Sequence, residues 1–275
     1  MTPRAKRALG QNFLVDANLQ RKIVDELGAG PDDVVLEVGP GHGELSAHLV
    51  GRVHRAVLVE KDRDLAAALR ARWGAETGVE IVEGDALALD LSRWIEPGRD
   101  LRVLSNVPYN VTSPLIFAFL GIRPSPRRIV VTVQREVAER VVAPPGSRTY
   151  GALSVGVQAV AGVRVAFQIG RRAFRPVPDV TSSVLRIEPD RYRVESLDLA
   201  ALRTVTRVLF GRRRKQLQKI LRTAPEFQGR GDPAAILSSL GLSPAARPET
   251  LSGAQFIALA DALFGRTGGS SVEGR

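Results

Sequence analysis

Cysteine is absent from the 275 residues, and there is a single methionine. Disulfides and thiolate metal sites are thereby excluded, and the composition suits a reducing cytoplasm. Aromatic residues make up only 5 % of the chain, while its apolar fraction is large enough for one large domain with a small one beside it. No apolar run approaches membrane-spanning length. The basic start, Arg4, Lys6 and Arg7, is followed by Gly10-Gln11-Asn12 where a signal peptide would need an apolar stretch. Histidine is scarce as well: His42, His48 and His54 recur every six residues, a spacing that gathers no ligand set on a helical face, so no metal is expected.

Charge of one sign is in excess. The formal net charge is +10; residues 190–275 carry 14 Lys/Arg against 8 Asp/Glu (+6), whereas residues 1–189 carry 25 against 21 (+4). The shorter part is the more basic, which favours an anionic partner such as nucleic acid.

The periodicities divide the chain in two. Asp16 is positioned to cap a helix over Ala17–Leu27 that Gly28 ends. Apolar runs then follow one another as strands: Val34–Val38, Ala56–Val59, Val79–Val82, Leu101–Ser105, Ile129–Val133, Val163–Ile169 and Val184–Ile187. Helical segments are expected at 44–50, 65–73, 113–120, 135–142 and 150–160, and Phe174-Arg175-Pro176-Val177-Pro178 as a loop. Beyond Pro189 the texture becomes leucine- and alanine-rich with breaks near Gly211, Pro225, Gly231 and Pro244. The expected organisation is an α/β domain over 1–190 with a Rossmann-like seven-stranded sheet, a smaller all-helical domain over 191–266 and a Gly/Ser-rich tail over 267–275.

Candidate chemistry collects at the carboxyl ends of the strands. Gly39-Pro40-Gly41-His42-Gly43 follows the first of the seven. Its third glycine comes two residues after the second, where a dinucleotide fingerprint needs three, so an adenosine-bearing ligand without a pyrophosphate fits better than NAD. Glu60, 21 residues beyond Gly39, ends the next strand where an acid would meet ribose hydroxyls, and Asp85 follows the third strand within reach of an adenine amino group. After the fourth come Asn106-Val107-Pro108-Tyr109-Asn110. The Asn106 amide oxygen and neighbouring carbonyls are acceptors, Pro108 lacks an N–H, and Tyr109 offers a stacking face. A planar group with an exocyclic NH2 suits them; adenine, cytosine and a glutamine amide all qualify. In the basic part, Arg212, Lys215, Lys219 and Arg222 fall at helical spacing, as a phosphate-gripping face would require.

Taken together, Gln11-Asn12-Phe13-Leu14, Glu37-Val38-Gly39-Pro40-Gly41, Glu60, Gly84-Asp85-Ala86, the Asn106 stretch, the Phe174 stretch, Phe210-Gly211-Arg212-Arg213-Arg214-Lys215 and Arg247-Pro248-Glu249-Thr250-Leu251-Ser252 resemble the ribosomal RNA adenine N6-dimethyltransferases, and within them the KsgA-type branch acting on the small subunit. The resemblance implies a class I methyltransferase sheet that uses S-adenosyl-L-methionine, and a helical domain that engages small-subunit ribosomal RNA in the immature subunit. It implies that Asn12 and Leu14 close over the cofactor, that Gly39, Gly41, Lys61 and Ala86 line it, that Glu60 and Asp85 bind its ribose and adenine, and that Asn106 lines both cofactor and target base. Asn106 and Pro108 would hold the target amine, Tyr109 and Phe174 would stack on the base, and Arg212, Arg213, Arg214, Lys215, Lys219 and Arg222 would meet RNA. A soluble monomer in the cytoplasm is the implied form. Val107 stands where the family usually has leucine, and Thr181 where aspartate is usual. Two rivals share the fold: a resistance-type methyltransferase of large-subunit RNA, and an RNA-binding assembly factor without turnover.

Overall fold

Four short apolar runs, three of them buried along most of their length and the fourth, at the sheet edge, partly exposed, read as neighbouring parallel strands, since a parallel sheet is covered on both faces away from its edges. In the computed structural model, which describes residues 12–106 and 111–265, they are β2 (Val34–Val38), β3 (Arg55–Glu60), β4 (Val79–Glu83) and β5 (Leu101–Ser105), after a two-residue β1 (Phe13–Leu14). Then come β6 (Arg128–Gln134), β7 (Ala161–Ile169), β8 (Phe174–Arg175) and β9 (Ser182–Pro189). Seven of these form one sheet in the order β4-β3-β2-β5-β6-β9-β7. The pairs from β4 through β6 are parallel and β9 runs antiparallel to β6. The expected seven strands are all present.

The order reverses at β2, which has β3 on one side and β5 on the other, and such a switch point opens a crevice at the carboxyl edge. That edge is knitted beyond the strands themselves. Gly39 N–H donates to the Val59 carbonyl (2.9 Å), Gly84 N–H to the Glu60 carbonyl (2.9 Å), and the buried Ser105 hydroxyl to the Val38 carbonyl (3.0 Å).

The helices are α1 (Ala17–Leu27), α2 (Arg63–Trp73), α3 (Thr112–Leu120), α4 (Arg135–Val141), α5 (Ala152–Gln158), α6 (Arg191–Ser196), α7 (Leu199–Gly211), α8 (Leu217–Thr223), α9 (Pro233–Ser239) and α10 (Gly253–Phe264). Asp16 caps α1 by accepting from the Asn18 and Leu19 amides, and Gly28 ends it in the left-handed conformation at φ 59°. Asp62 caps α2 in the same way through Asp64 N–H.

Two expected forms are corrected. Residues 44–50 make turns and a 3-10 segment, Ser46–His48, instead of an α-helix. They are bracketed by Gly43 (φ 82°) and Gly51 (φ 76°), whose left-handed backbone cannot continue an α-helix at either end. Phe174-Arg175, expected in a loop, forms β8 and pairs antiparallel with β1. An isolated two-residue ladder is marginal, and its strength here comes from Leu14 and Phe174, both 1 % exposed in the core with Ile23, Leu27, Leu45 and Leu104.

The described chain packs as two compact units. One runs to Ala138 and resumes over Gly162–Pro189; the other comprises Glu139–Ala161 and the chain from Asp190 onward. The excursion Glu139–Ala161, read from sequence as part of the sheet domain, therefore belongs with the helices: Tyr150 Oη donates to the Leu251 carbonyl (2.9 Å), and Gly146 N–H to that of Glu249 (2.8 Å). Among the described residues no helix is long and apolar enough to cross a membrane.

Candidate active site

The carboxyl edge of β2 is shaped by glycines. Gly39, Gly41 and Gly43 adopt φ of 72°, 63° and 82°, a region costly for any residue with a Cβ. At Gly43 a Cβ would also lie 2.4 Å from the Trp73 ring, and at Gly41 it would lie 3.0 Å from Phe13. The loop thus has a packed inner side and an outer side closed by β1, whose Phe13 ring stands 4.2 Å from that of His42.

Three carboxylates converge on this loop. Glu60, 6 % exposed, accepts from Gly41 N–H through Oε2 (3.1 Å) and from Asp62 N–H through Oε1 (2.9 Å). Burial raises its pKa despite those bonds. Glu44 accepts from His42 N–H (3.2 Å) and is likewise raised by burial. Glu37, 1 % exposed on β2, accepts from the Ser46 hydroxyl (2.7 Å), and burial first, then Glu44 and Glu60, push its carboxyl up to about 8. Glu44 was not singled out from the sequence, and Glu37 entered only as the first residue of the 37–41 motif, with no role given to it. A carboxylate inside Val34-Val35-Leu36-Glu37-Val38 was a signal in its own right, because a buried acid needs a partner.

Asp85 follows β4 and is held differently. Lys61 Nζ donates to its Oδ2 (2.8 Å) and Leu87 N–H to its Oδ1 (3.0 Å), and the Lys61 contact lowers its pKa. Ala86 beside it is buried. Asn106 is half-buried at the end of β5. The fold therefore brings the Gly39–Gly43 loop, Glu60–Lys61, Asp85–Ala86 and Asn106 to the carboxyl ends of four adjacent parallel strands, with half-buried Asn12 and buried Leu14 on the β1 side. Pro108 and Tyr109 lie outside the described residues. Phe174, expected to stack on a base, has its ring in the core instead, because its pairing with Leu14 points it inward.

The donor set suits a nucleoside cofactor. Each Glu60 oxygen already takes one backbone amide and has a further lone pair for a hydroxyl. The glycine loop leaves backbone free of side chains where a ligand would approach. Among the described residues no group of three or more His, Cys, Asp or Glu is placed to hold a metal ion.

A family model described as "Ribosomal RNA adenine dimethylase" matches residues 2–261. The chain belongs to that family. One relative, "Ribosomal RNA small subunit methyltransferase A" of Nitratidesulfovibrio vulgaris, is 43 % identical over 265 residues, 96 % of this chain and 98 % of its own. The protein of the same name from Bordetella bronchiseptica is 42 % identical, with 94 % of each chain covered. Among solved structures, a dimethyladenosine transferase from Plasmodium falciparum superposes at a TM-score of 0.78 with 23 % identity, covering 90 % of this chain and 95 % of that one. The 23S rRNA methyltransferase ErmE gives 0.66 and 24 %, covering 91 % and 99 %. At those identities the two structures speak for the fold alone, a class I methyltransferase sheet; members of this dimethylase family imply a methyl donor of the S-adenosylmethionine type.

In the helical unit the family's basic run is split. Arg212–Lys215 forms a turn after α7, closed by Lys215 N–H to the Arg212 carbonyl (2.8 Å), and only Lys219 and Arg222 lie on α8. The single helical face expected for Arg212, Lys215, Lys219 and Arg222 is thus corrected. The α8 amides of Leu217 and Gln218 are satisfied by the Ala246 and Pro244 carbonyls, which starts the helix there and no earlier. Arg214, Lys215, Lys219 and Arg222 are exposed and Arg212 is half-buried. Arg213 is engaged: its Nη1 donates to the Arg148 carbonyl (2.9 Å), its Nη2 to that of Ser147 (3.3 Å), and its Nε lies 3.7 Å from Glu249, a charge pair without a hydrogen bond.

Proposed function

We propose that this dimethylase transfers methyl groups from S-adenosyl-L-methionine to N6 of two adjacent adenosines in the 3′-terminal hairpin of small-subunit ribosomal RNA. The product is N6,N6-dimethyladenosine, and the reaction belongs to the biogenesis of the small subunit in the cytoplasm. The observation that supports this most is the alignment of the glycine loop, Glu60, Asp85 and Asn106 along one edge of four parallel strands, in a chain whose relatives at about 40 % identity bear the small-subunit name.

Glu60 would take the ribose hydroxyls and Asp85 the adenine amino group, with Lys61 keeping Asp85 ionised. Gly39 and Gly41 would let the backbone approach the methionine portion, Ala86 would line the adenine, and Asn12 and Leu14 would close the other side. When bound, the cofactor supplies an electrophilic methyl group on a sulfonium. The chain's own work is to orient the target amine. The N6 lone pair is delocalised into the adenine ring, and acceptors at the Asn106 amide oxygen and the Pro108-side carbonyl would turn it toward the methyl. Tyr109 would stack on the extruded base, an interaction worth about 1–3 kcal/mol. Arg212, Arg214, Lys215, Lys219 and Arg222 would meet RNA phosphates.

The test is methyl transfer from labelled S-adenosylmethionine to undermethylated small subunits, large subunits and their naked RNAs, with the modified nucleosides mapped by reverse-transcription stops. Dimethyladenosine confined to the small-subunit 3′ hairpin is expected. Asn106→Ala should lose turnover far more than cofactor affinity. Modification of large-subunit RNA, or an undiminished rate in that variant, overturns the assignment.

A further inference from the structure

The β1–β8 ladder has only two residue pairs, yet β1 closes over the glycine loop through Phe13. Something must fix its backbone. The side chain of Gln20, on α1, reaches back and donates from Nε2 to the Leu14 carbonyl (2.7 Å). Its Oε1 lies 3.3 Å from Nε2 of His48, in the 3-10 turn that follows the glycine loop. With the amide N–H of Gln20 committed to Leu14, Oε1 is the acceptor and His48 Nε2 carries the hydrogen. A polar chain thus runs from the turn after the loop, through α1, to the strand that covers the loop. Both side chains are half-buried, where one hydrogen bond holds better than in open water.

We propose that Gln20 and His48 form a positioning couple that sets the backbone of β1 at Leu14 and thereby how tightly S-adenosylmethionine is held. Neither side chain touches the reacting atoms. The inference rests on the reading that Asn12 and Leu14 close over the cofactor, and it assigns to that clasp its anchor. Asp16 contributes at the other end of the turn by capping α1, so the couple need fix only the peptide between cap and strand.

The test measures S-adenosylmethionine binding by calorimetry, and kcat and KM on undermethylated small subunits, for the full-length chain. Gln20→Met and His48→Leu should each weaken cofactor binding about threefold to tenfold, the scale of one lost hydrogen bond. KM for the cofactor should rise in parallel and kcat should hold within about twofold. His48→Gln, which keeps a donor toward Gln20, should restore most of the affinity, and the double loss should be no worse than Gln20→Met alone. Without cofactor, hydrogen exchange at the Val15 amide, bonded to the Ala173 carbonyl (2.8 Å), should speed up in Gln20→Met. Asn12→Ala is the companion variant. If it weakens cofactor binding while both couple variants bind normally, the couple is refuted and the clasp stands. If none of the three changes affinity, the clasp reading fails and takes the couple with it.

Discussion

Glu37 is a carboxyl group held inside a sheet, 1 % exposed, with the Ser46 hydroxyl on one oxygen and Glu44 and Glu60 as like-charged neighbours. Burial is the largest influence on it, so it keeps its proton up to about 8 where an exposed glutamate releases it at 4.5. Between those values the folded state holds a proton that the unfolded chain has given up, and stability must fall as pH rises through that window. The contribution is full below 4.5 and its loss levels off above about 8. Glu37→Gln keeps an acceptor for Ser46 and cannot ionise. Thermal unfolding across the window should show a flatter pH profile for the variant, and a relative gain toward the alkaline end that accrues at no more than about 1.4 kcal/mol per pH unit. Parallel profiles for variant and wild type would mean that Glu37 ionises normally in its buried setting. At this scale the sequence was readable wherever a residue's role is local. Asp16 and Gly28 mark the ends of α1 by their own backbone and side-chain chemistry. The Glu60 position followed from strand spacing, but its grip on Gly41 N–H needs two chain segments brought together and could not be seen beforehand.

Among the elements, β1 and β8 depart furthest from local expectation. Pro176 and Pro178 argue against a strand, yet Phe174-Arg175 precedes them and needs only two partners, Phe13 and Leu14, to make a ladder. That pairing decides where the Phe174 ring goes. Denaturant unfolding of Phe174→Ala should show a loss of about 3–5 kcal/mol, the cost of emptying an aromatic site in a packed core, with Phe174→Leu losing much less. Turnover retained in Phe174→Leu would fit the core placement, whereas turnover lost at near-normal stability would return the ring to the target base. The 44–50 turn teaches the same lesson from the other side: its composition suits a helix, and the two positive-φ glycines that bracket it allow only a 3-10 segment. Periodicity reports what a stretch can bury, while the backbone fixed at its two ends decides which form it takes.

For the whole molecule, strand number and the parallel run were legible because buried strands are separated by segments long enough to cross over. The sheet order and the second crossing between units were not, since Glu139–Ala161 carries no linker composition beyond Pro144-Pro145-Gly146 and its place is set by partners such as Leu251 and Glu249. The excess positive charge of the C-terminal part was visible as a sum, but the sum hides a division of labour. Lys215, Lys219 and Arg222 are exposed, while Arg213 is bound to the Ser147 and Arg148 carbonyls. Phosphate contacts act through counterion release, so Lys215→Ala with Lys219→Ala should lower the slope of log affinity against log salt by about one for each lysine while leaving the melting temperature unchanged. Arg213→Ala should do the reverse, lowering the melting temperature by releasing the 146–148 turn and Glu249, with little change in slope. Filter binding of small-subunit RNA across a salt series, paired with thermal unfolding, separates the two effects. A slope lost with Arg213 at an unchanged melting temperature would place that guanidinium on the RNA and not on the loop it holds here.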